Sequence, residues 1–166
     1  FYLSAGGTVY GNPDMSPVPE TASLKPISSY GAVKVAIEKF IGVAVAEWGL
    51  RAVILRPSNP FGERQGHAGV QGLVTTLMKN AIKGEPSVIY GDGSAVRDYI
   101  YVGDVADLVS REVASDHCGV FNAGYGQGFS INTIIAAIEI VSGLDVPGRK
   151  SAVRGWRGWG GECGNS

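Results

Sequence analysis

The 166 residues read as an α/β protein with a largely parallel sheet. Three observations predict this class. Strand-like and helix-like segments alternate over the first 147 residues, as they do when helices cover a parallel sheet. The segment Arg51–Pro57 (RAVILRP) is β-branched and continuously apolar at its centre, the mark of a strand buried on both faces. Glycine, at 25 residues, is about twice as frequent as the usual roughly 7% and gathers at the junctions between segments.

The elements follow in order. Phe1–Ser4 is a short apolar strand that ends in a glycine turn. Ser28–Trp48 is a long helix, because Val33, Ile37, Phe40, Ile41 and Ala44 recur at helical spacing. Ser28 or Ser29 can cap its start and Gly49 can end it. Arg51–Pro57 is a strand stopped by its proline. Gly72–Lys83 reads as a helix ended at Gly84, and Ser87–Tyr90 and Arg97–Val102 as short strands. Asp104–Ala114 is a helix with Asp104 near its positive end. Val120–Ala123 is a strand, and Ser130–Ser142 a helix capped by Ser130 and ended at Gly143. No internal repeat is visible.

Composition narrows the function. The net charge is −1, so a nucleic-acid binder working by phosphate neutralisation is not expected. The longest uncharged apolar run, Ile41–Ala46, is far short of the roughly 20 residues that span a bilayer. No signal peptide is visible, and a soluble cytoplasmic protein is the default expectation. Cys118 and Cys163 are the only cysteines, so no disulfide framework is expected. With His67 and His117 they lack metal-ligand spacing, and no metal is expected. Residues 148–166 gather Arg149, Lys150, Arg154 and Arg157 with six glycines and two tryptophans. This stretch is expected to be disordered or a foreign tail rather than a platform for nucleic acid.

Five segments could carry chemistry. Tyr30 and Lys34, in SSYGAVK, stand four apart, so a phenol and an ammonium share one helix face. A phenol titrates near 10 and is a poor base at neutral pH, but an adjacent cation favours the phenolate. The same pair also fits a solvated helix face. SAGGTVYG (Ser4–Gly11) follows the first strand, where Gly6 and Gly7 permit a sharp turn or close approach to a ligand. Ser4, Thr8 and Tyr10 offer hydroxyls there, although an ordinary strand-to-loop turn has the same composition. RPSNPFGERQ (Arg56–Gln65) sets Asn59 between two prolines that fix the backbone and can aim its amide at a ligand. YGDGSAVRDYIYVGDVA (Tyr90–Ala106) delivers Arg97, whose planar fork suits a phosphate, unless the adjacent Asp98 pairs with it. GYGQG (Gly124–Gly128) looks like a phosphate loop, but Phe129 stands where G-x-G-x-x-G needs its last glycine, so it reads as a connecting turn.

Taken in order over residues 1–147, these pieces resemble the extended short-chain dehydrogenase/reductase family, in particular its NAD-dependent nucleotide-sugar epimerases. The resemblance implies a partial Rossmann-type domain in 1–62 and 103–123. It implies part of a nucleotide-sugar-binding region in 63–102 and 124–147. It makes Tyr30 the base, with Lys34 lowering its pKa and holding the nicotinamide ribose. Pro57 and Ser58 would lie near the nicotinamide. Asn59 and Arg97 would hold the diphosphate, and Val88 and Tyr90 would border the nucleotide base. The implied cofactor is NAD, the substrate a UDP-sugar, and the parent enzyme a homodimer.

The sequence departs from that family in three places. The family usually places Ser or Thr four residues before the YG tyrosine, as a third catalytic group; here Gly6 stands there. Thr8 is the substitute expected to act in catalysis and on the substrate, with Ser4 as its alternative. Dehydratases of the family carry an acid near this point, where Gly6, Gly7 and Thr8 are found, so an epimerase is favoured. The family's GxxGxxG loop and the acid for the adenosine ribose are not found within these 166 residues. Arg154 and Arg157 do not match its later substrate-binding arginine. The chain is therefore expected to be an inactive fragment of a UDP-hexose 4-epimerase. A non-catalytic paralogue binding a nucleotide sugar or a partner, or a related dehydratase or reductase, is the alternative.

Overall fold

The computed structural model describes residues 1–13, 15–65 and 72–151, with backbone alone for 149–151. The chain divides into two compact units, 1–76 with 96–129 and 77–95 with 130–166.

In the first unit, β1 (Tyr2–Leu3), β2 (Val53–Pro57) and β6 (Gly119–Ala123) form a parallel sheet in the order β1-β2-β6. The central strand β2 is buried at every position, as its unbroken apolar run predicts. Leu55 is fully buried there, worth about 1.5–3 kcal/mol in transfer free energy. Pro57 ends β2, and the Ser58 N–H still donates to the Ala123 carbonyl (2.8 Å). The chain then changes sheets: β3 (Asn59–Phe61) lies beside β5 (Val96–Tyr101), in a second sheet of order β3-β5-β7. β7 (Gly128–Ser130) completes that sheet.

The SAGGTVYG segment is a helical turn, α1 (Gly6–Val9), rather than the expected plain strand-to-loop turn. The Ala5 carbonyl accepts from the N–H groups of Thr8 and Val9 (3.0 and 3.1 Å), and Val9 is fully buried. The long helix α2 (Ser29–Trp48) starts as expected. Ser28 caps it, its Oγ accepting from the Gly31 N–H at 3.1 Å. Gly49 ends it in the left-handed conformation (φ 63°, ψ 27°). What α2 buries is not the apolar stripe that predicts it. Val33 and Phe40 are exposed, whereas Gly31 and Glu38 are buried. α4 (Val102–Val113) follows β5 and carries Asp104 in its first turn.

In the second unit, β4 (Ser87–Tyr90) pairs in parallel with β8 (Gly148–Ser151). β8 corrects the expectation that 148–166 is wholly disordered or foreign. Its first four residues add a strand to β4, and the rest of that stretch lies outside the described residues. α5 (Ile131–Ser142) runs from a Ser130 cap to a left-handed Gly143, both as expected. α3 (Leu73–Lys83) begins in the first unit and continues in the second. Among the described residues of the second unit, Leu77, Ala81, Ile89, Ile138 and Val146 are the buried apolar ones. Among the described residues, no helix is long and apolar enough to cross a membrane.

Candidate active site

Parallel α/β sheets present their loops and ligands at the carboxyl ends of the strands. In the first unit, β1 ends at Leu3 and β2 at Pro57, and the candidate residues gather beyond these ends.

Tyr30 and Lys34 occupy successive turns of α2. The Lys34 ammonium lies 5.5 Å from the centre of the Tyr30 ring and 5.2 Å from that of Tyr2. It donates to the Leu3 carbonyl at 3.2 Å, which ties α2 to the end of β1. One of its three donors is thus spent and two remain. Tyr30 is 45% exposed, and its hydroxyl has no hydrogen-bond partner among the described residues.

α1 fits between this helix and the next strand. A Cβ on Gly31 would stand 2.7 Å from the Thr8 carbonyl oxygen, so only glycine lets α2 come this close to α1. On the other side, a Cβ on Gly7 would meet Asn59 Oδ1 at 3.7 Å. The turn that carries Thr8 therefore touches both the residue after Tyr30 and Asn59. The Thr8 hydroxyl donates back to the Ala5 carbonyl at 3.2 Å.

Gly6, where the resemblance leads one to expect Ser or Thr, has no room for a side chain. A Cβ there would lie 2.6 Å from the Arg56 carbonyl oxygen and 2.8 Å from that of Pro57. Ser4 does not supply the hydroxyl either. It is buried and hydrogen-bonded to Glu38 Oε1.

Pro57, Ser58 and Asn59 form the crossing between the two sheets of this unit. The Ser58 hydroxyl donates to Asp98 Oδ1 (3.0 Å), and Asn59 Nδ2 donates to the Asp98 carbonyl (2.7 Å). Asp98 also accepts from the N–H groups of Tyr125 (2.9 Å) and Gly126 (2.8 Å). A Cβ on Gly124 would lie 2.7 Å from Asp98 Oδ2. The phosphate-like GYGQG turn thus wraps a carboxylate of its own chain. Arg97 is exposed and donates to the Val96 carbonyl (2.7 Å), so the neighbouring Asp98 is not its partner. Val88 and Tyr90, in the second unit, lie on the exposed face of β4, and each is 54% exposed.

Behind Tyr30 and Lys34 lies a buried polar network that the sequence reading missed. Glu38 Oε2 accepts from Arg56 Nη2 at 2.6 Å, and Arg56 Nε lies 3.2 Å from both carboxylate oxygens. Arg56 Nη1 donates to the Tyr10 hydroxyl (2.7 Å), which donates to Asn122 Oδ1 (2.7 Å). Burial opposes the Arg56 charge, but hydrogen bonds with Glu38 and Tyr10 and the Glu38 charge outweigh it and raise the arginine's pKa. The available signal was an arginine inside an otherwise apolar, fully buried strand, which needs a partner.

His117 Nδ1 lies 3.0 Å from Glu112 Oε2 at an exposed site. Cys118 is exposed, and His67 and Cys163 lie outside the described residues. Among the described residues, no group of three His, Cys, Asp or Glu side chains is gathered as for a metal ion.

The parallel strands of the first unit, with helices packed on them, form a Rossmann-like α/β arrangement, the kind of sheet whose ligands lie at the strand carboxyl ends. Residues 1–124 match the NAD dependent epimerase/dehydratase family, and the chain belongs to it. NAD is that family's cofactor. The chain is 37% identical over 162 residues to a UDP-glucose 4-epimerase from Azospirillum brasilense, covering 87% of this chain and 47% of the relative. It superposes on the Thermus thermophilus UDP-glucose 4-epimerase complex with NAD with a TM-score of 0.86 and 33% identity. That match covers 93% of this chain and 51% of the other. The UDP-glucose 4-epimerase of Thermotoga maritima with UDP-glucose gives a TM-score of 0.83 and 35% identity, over 92% and 50%. The chain spans about half the length of the curated relatives it matches.

The described residues fit the nicotinamide–ribose end of NAD. The two spare ammonium donors of Lys34 and the unpartnered hydroxyl of Tyr30 suit the acceptors and donors of a ribose diol.

Proposed function

We propose that this chain carries the catalytic tyrosine and part of the sugar-nucleotide site of an NAD-dependent UDP-hexose 4-epimerase. The observation that carries the reading is the Tyr30–Lys34 pair, stacked at 5.5 Å and anchored to the end of β1.

In this reading Tyr30 takes the proton from the sugar's C4 hydroxyl and later returns it. Lys34 supports the negative charge on the phenol oxygen and holds the nicotinamide ribose. Pro57 and Ser58 line the nicotinamide, Asn59 and Arg97 hold the diphosphate, and Val88 and Tyr90 border the uracil. The chemistry supplied by bound NAD is removal and return of a hydride at C4. The 4-ketosugar turns over between the two transfers, so the reaction is redox-neutral. Thr8, two residues after Gly6, is assigned the third catalytic hydroxyl. Residues 1–62 and 103–123 are assigned to the cofactor domain, and 63–102 and 124–147 to the sugar-nucleotide region. A homodimeric parent is consistent with the outward apolar face of α2, where Val33, Phe40 and Trp48 are exposed.

The test is a segment exchange. Residues 1–124 replace their counterpart in the Thermus relative, and the hybrid is incubated with UDP-glucose and NAD. Appearance of the C4 epimer is expected. A 4-keto-6-deoxy product, or no conversion by a folded hybrid that binds both ligands, overturns the reading. Calorimetry on the 166-residue chain with UDP and UDP-glucose adds a second arm. Tight UDP-sugar binding without NAD, coupled to no conversion in the hybrid, identifies a non-catalytic sugar-nucleotide binder instead.

A further inference from the structure

Three charged or aromatic side chains follow one another along a single stripe of α2. Tyr30, Lys34 and Glu38 stand at successive four-residue intervals and therefore on one face of the helix. They grade inward: Tyr30 is 45% exposed, Lys34 is half-buried, and Glu38 is 6% exposed. Glu38 ends the stripe on Arg56, the residue just before Pro57–Ser58–Asn59.

That ion pair joins α2 and β2, and through its hydrogen-bond partners it reaches the end of β1 and α1. Glu38 belongs to α2, with Tyr30 and Lys34. Arg56 belongs to β2, which leads into the sheet crossing. Ser4, bonded to Glu38, follows directly on Leu3, whose carbonyl holds Lys34. Tyr10, bonded to Arg56, ends α1, and Gly6 of α1 rests on the Arg56 backbone. A pair this buried forgoes the hydration of two charges, and an apolar pair of similar volume is often equally or more stable. Its best-attested use is to fix the register of one element against another.

We propose that Glu38 and Arg56 are positioning residues that set the register of α2 on β1 and β2, and with it the place of Tyr30 and Lys34 over the strand ends. The importance of that place for chemistry rests on the epimerase reading. The register claim itself does not. Bidentate bonding from Arg56 Nε and Nη2 admits one orientation of the carboxylate. An apolar pair at the same positions has no such directional demand, and α2 could then rotate or slide by a fraction of a turn.

The experiment uses the full 166-residue chain. The Lys34 ammonium lies over two aromatic rings, 5.2 and 5.5 Å from their centres, so ring currents are expected to move the NMR signals of the adjoining methylene upfield of other lysines. The double variant Glu38→Met/Arg56→Leu is expected to melt close to the parent. Its Lys34 signals are expected to return toward the ordinary lysine position, and its Lys34–Tyr30 cross-peaks to weaken. Glu38→Gln, which keeps the shape, is the second variant and is expected to lose the same signature. Either variant folded with the Lys34 signature intact overturns the proposal. Failure of both to fold overturns it in favour of a purely structural pair. None of these readouts needs turnover. An inactive hybrid alongside a lost signature therefore counts against the epimerase reading and not against the register role.

Discussion

Replacing Gly6 by serine would supply the third hydroxyl that the family resemblance leads one to expect at this position, and the structure predicts that it fails. Gly6 does not need glycine for its backbone dihedrals, since its φ is not positive. The obstacle is packing. The new Cβ would stand 2.6 and 2.8 Å from two carbonyl oxygens of β2. Both belong to backbone held in register with β6, so neither oxygen can swing aside as a side-chain tip would. Overpacking of this kind costs about 1–3 kcal/mol. At roughly 2–4 °C per kcal/mol for a chain of this size, the melting temperature should fall by about 2–12 °C. Gly7→Ser is the matched control. Its Cβ would meet Asn59 Oδ1 at 3.7 Å, an ordinary contact, and should change stability by no more than about 0.5 kcal/mol. Thermal melts followed by circular dichroism compare the two. Equal melting temperatures for Gly6→Ser and the parent would refute the packing argument. With it would go the claim that this chain cannot hold its third hydroxyl at Gly6.

Further outcomes follow from the same geometry. Arg56→Met leaves the Glu38 carboxylate buried without its partner and should cost about 3–5 kcal/mol in urea unfolding. The Glu20 carboxylate accepts from the Asn122 N–H, which holds its pKa below the usual carboxylate range. Its stabilisation is therefore complete above the unfolded carboxylate pKa and is lost as pH falls through the lowered folded value. Glu20→Gln should flatten that acid limb in unfolding measured against pH. The Tyr101 hydroxyl donates to Glu63 (2.9 Å), and that bond raises the phenol's pKa. Its stabilisation is present below the unfolded tyrosine pKa and disappears as pH rises through the raised value. Glu63→Gln should bring the Tyr101 titration back toward the ordinary tyrosine range in an ultraviolet difference titration.

The long elements were legible because their signals are local. Ser28 and Gly49 mark the two ends of α2, and Ser130 and Gly143 those of α5, through single-residue chemistry that needs no tertiary context. β2 was legible because burial on both faces demands an unbroken apolar run. β3, β7 and β8 were not, since strands of three or four residues are too short to show a period. Pro60 lies inside β3, which is possible because, among the described residues, β3 is an edge strand paired with β5. At the site, Tyr30 and Lys34 were readable from an i, i+4 spacing that α2 preserves. Glu38 and Arg56 were not, because their partnership spans two elements. The apolar spacing that marks α2 as a helix does not identify its buried face, where the Glu38–Arg56 pair and the Gly31 contact lie, while Phe40 stays exposed. The fate of Asp98, claimed by the 124–126 turn rather than by Arg97, likewise depends on a contact 27 residues distant in sequence.

The central claim is that Tyr30 is the base and Lys34 its support. The most direct test is the hybrid carrying residues 1–124, assayed for conversion of UDP-glucose to its C4 epimer with and without Tyr30→Phe. Loss of a general base should lower kcat by about 10²–10⁴-fold. UDP-glucose binding, followed by calorimetry, should stay within a small factor of the parent hybrid. A Tyr30→Phe hybrid that turns over at the parent rate would contradict the account.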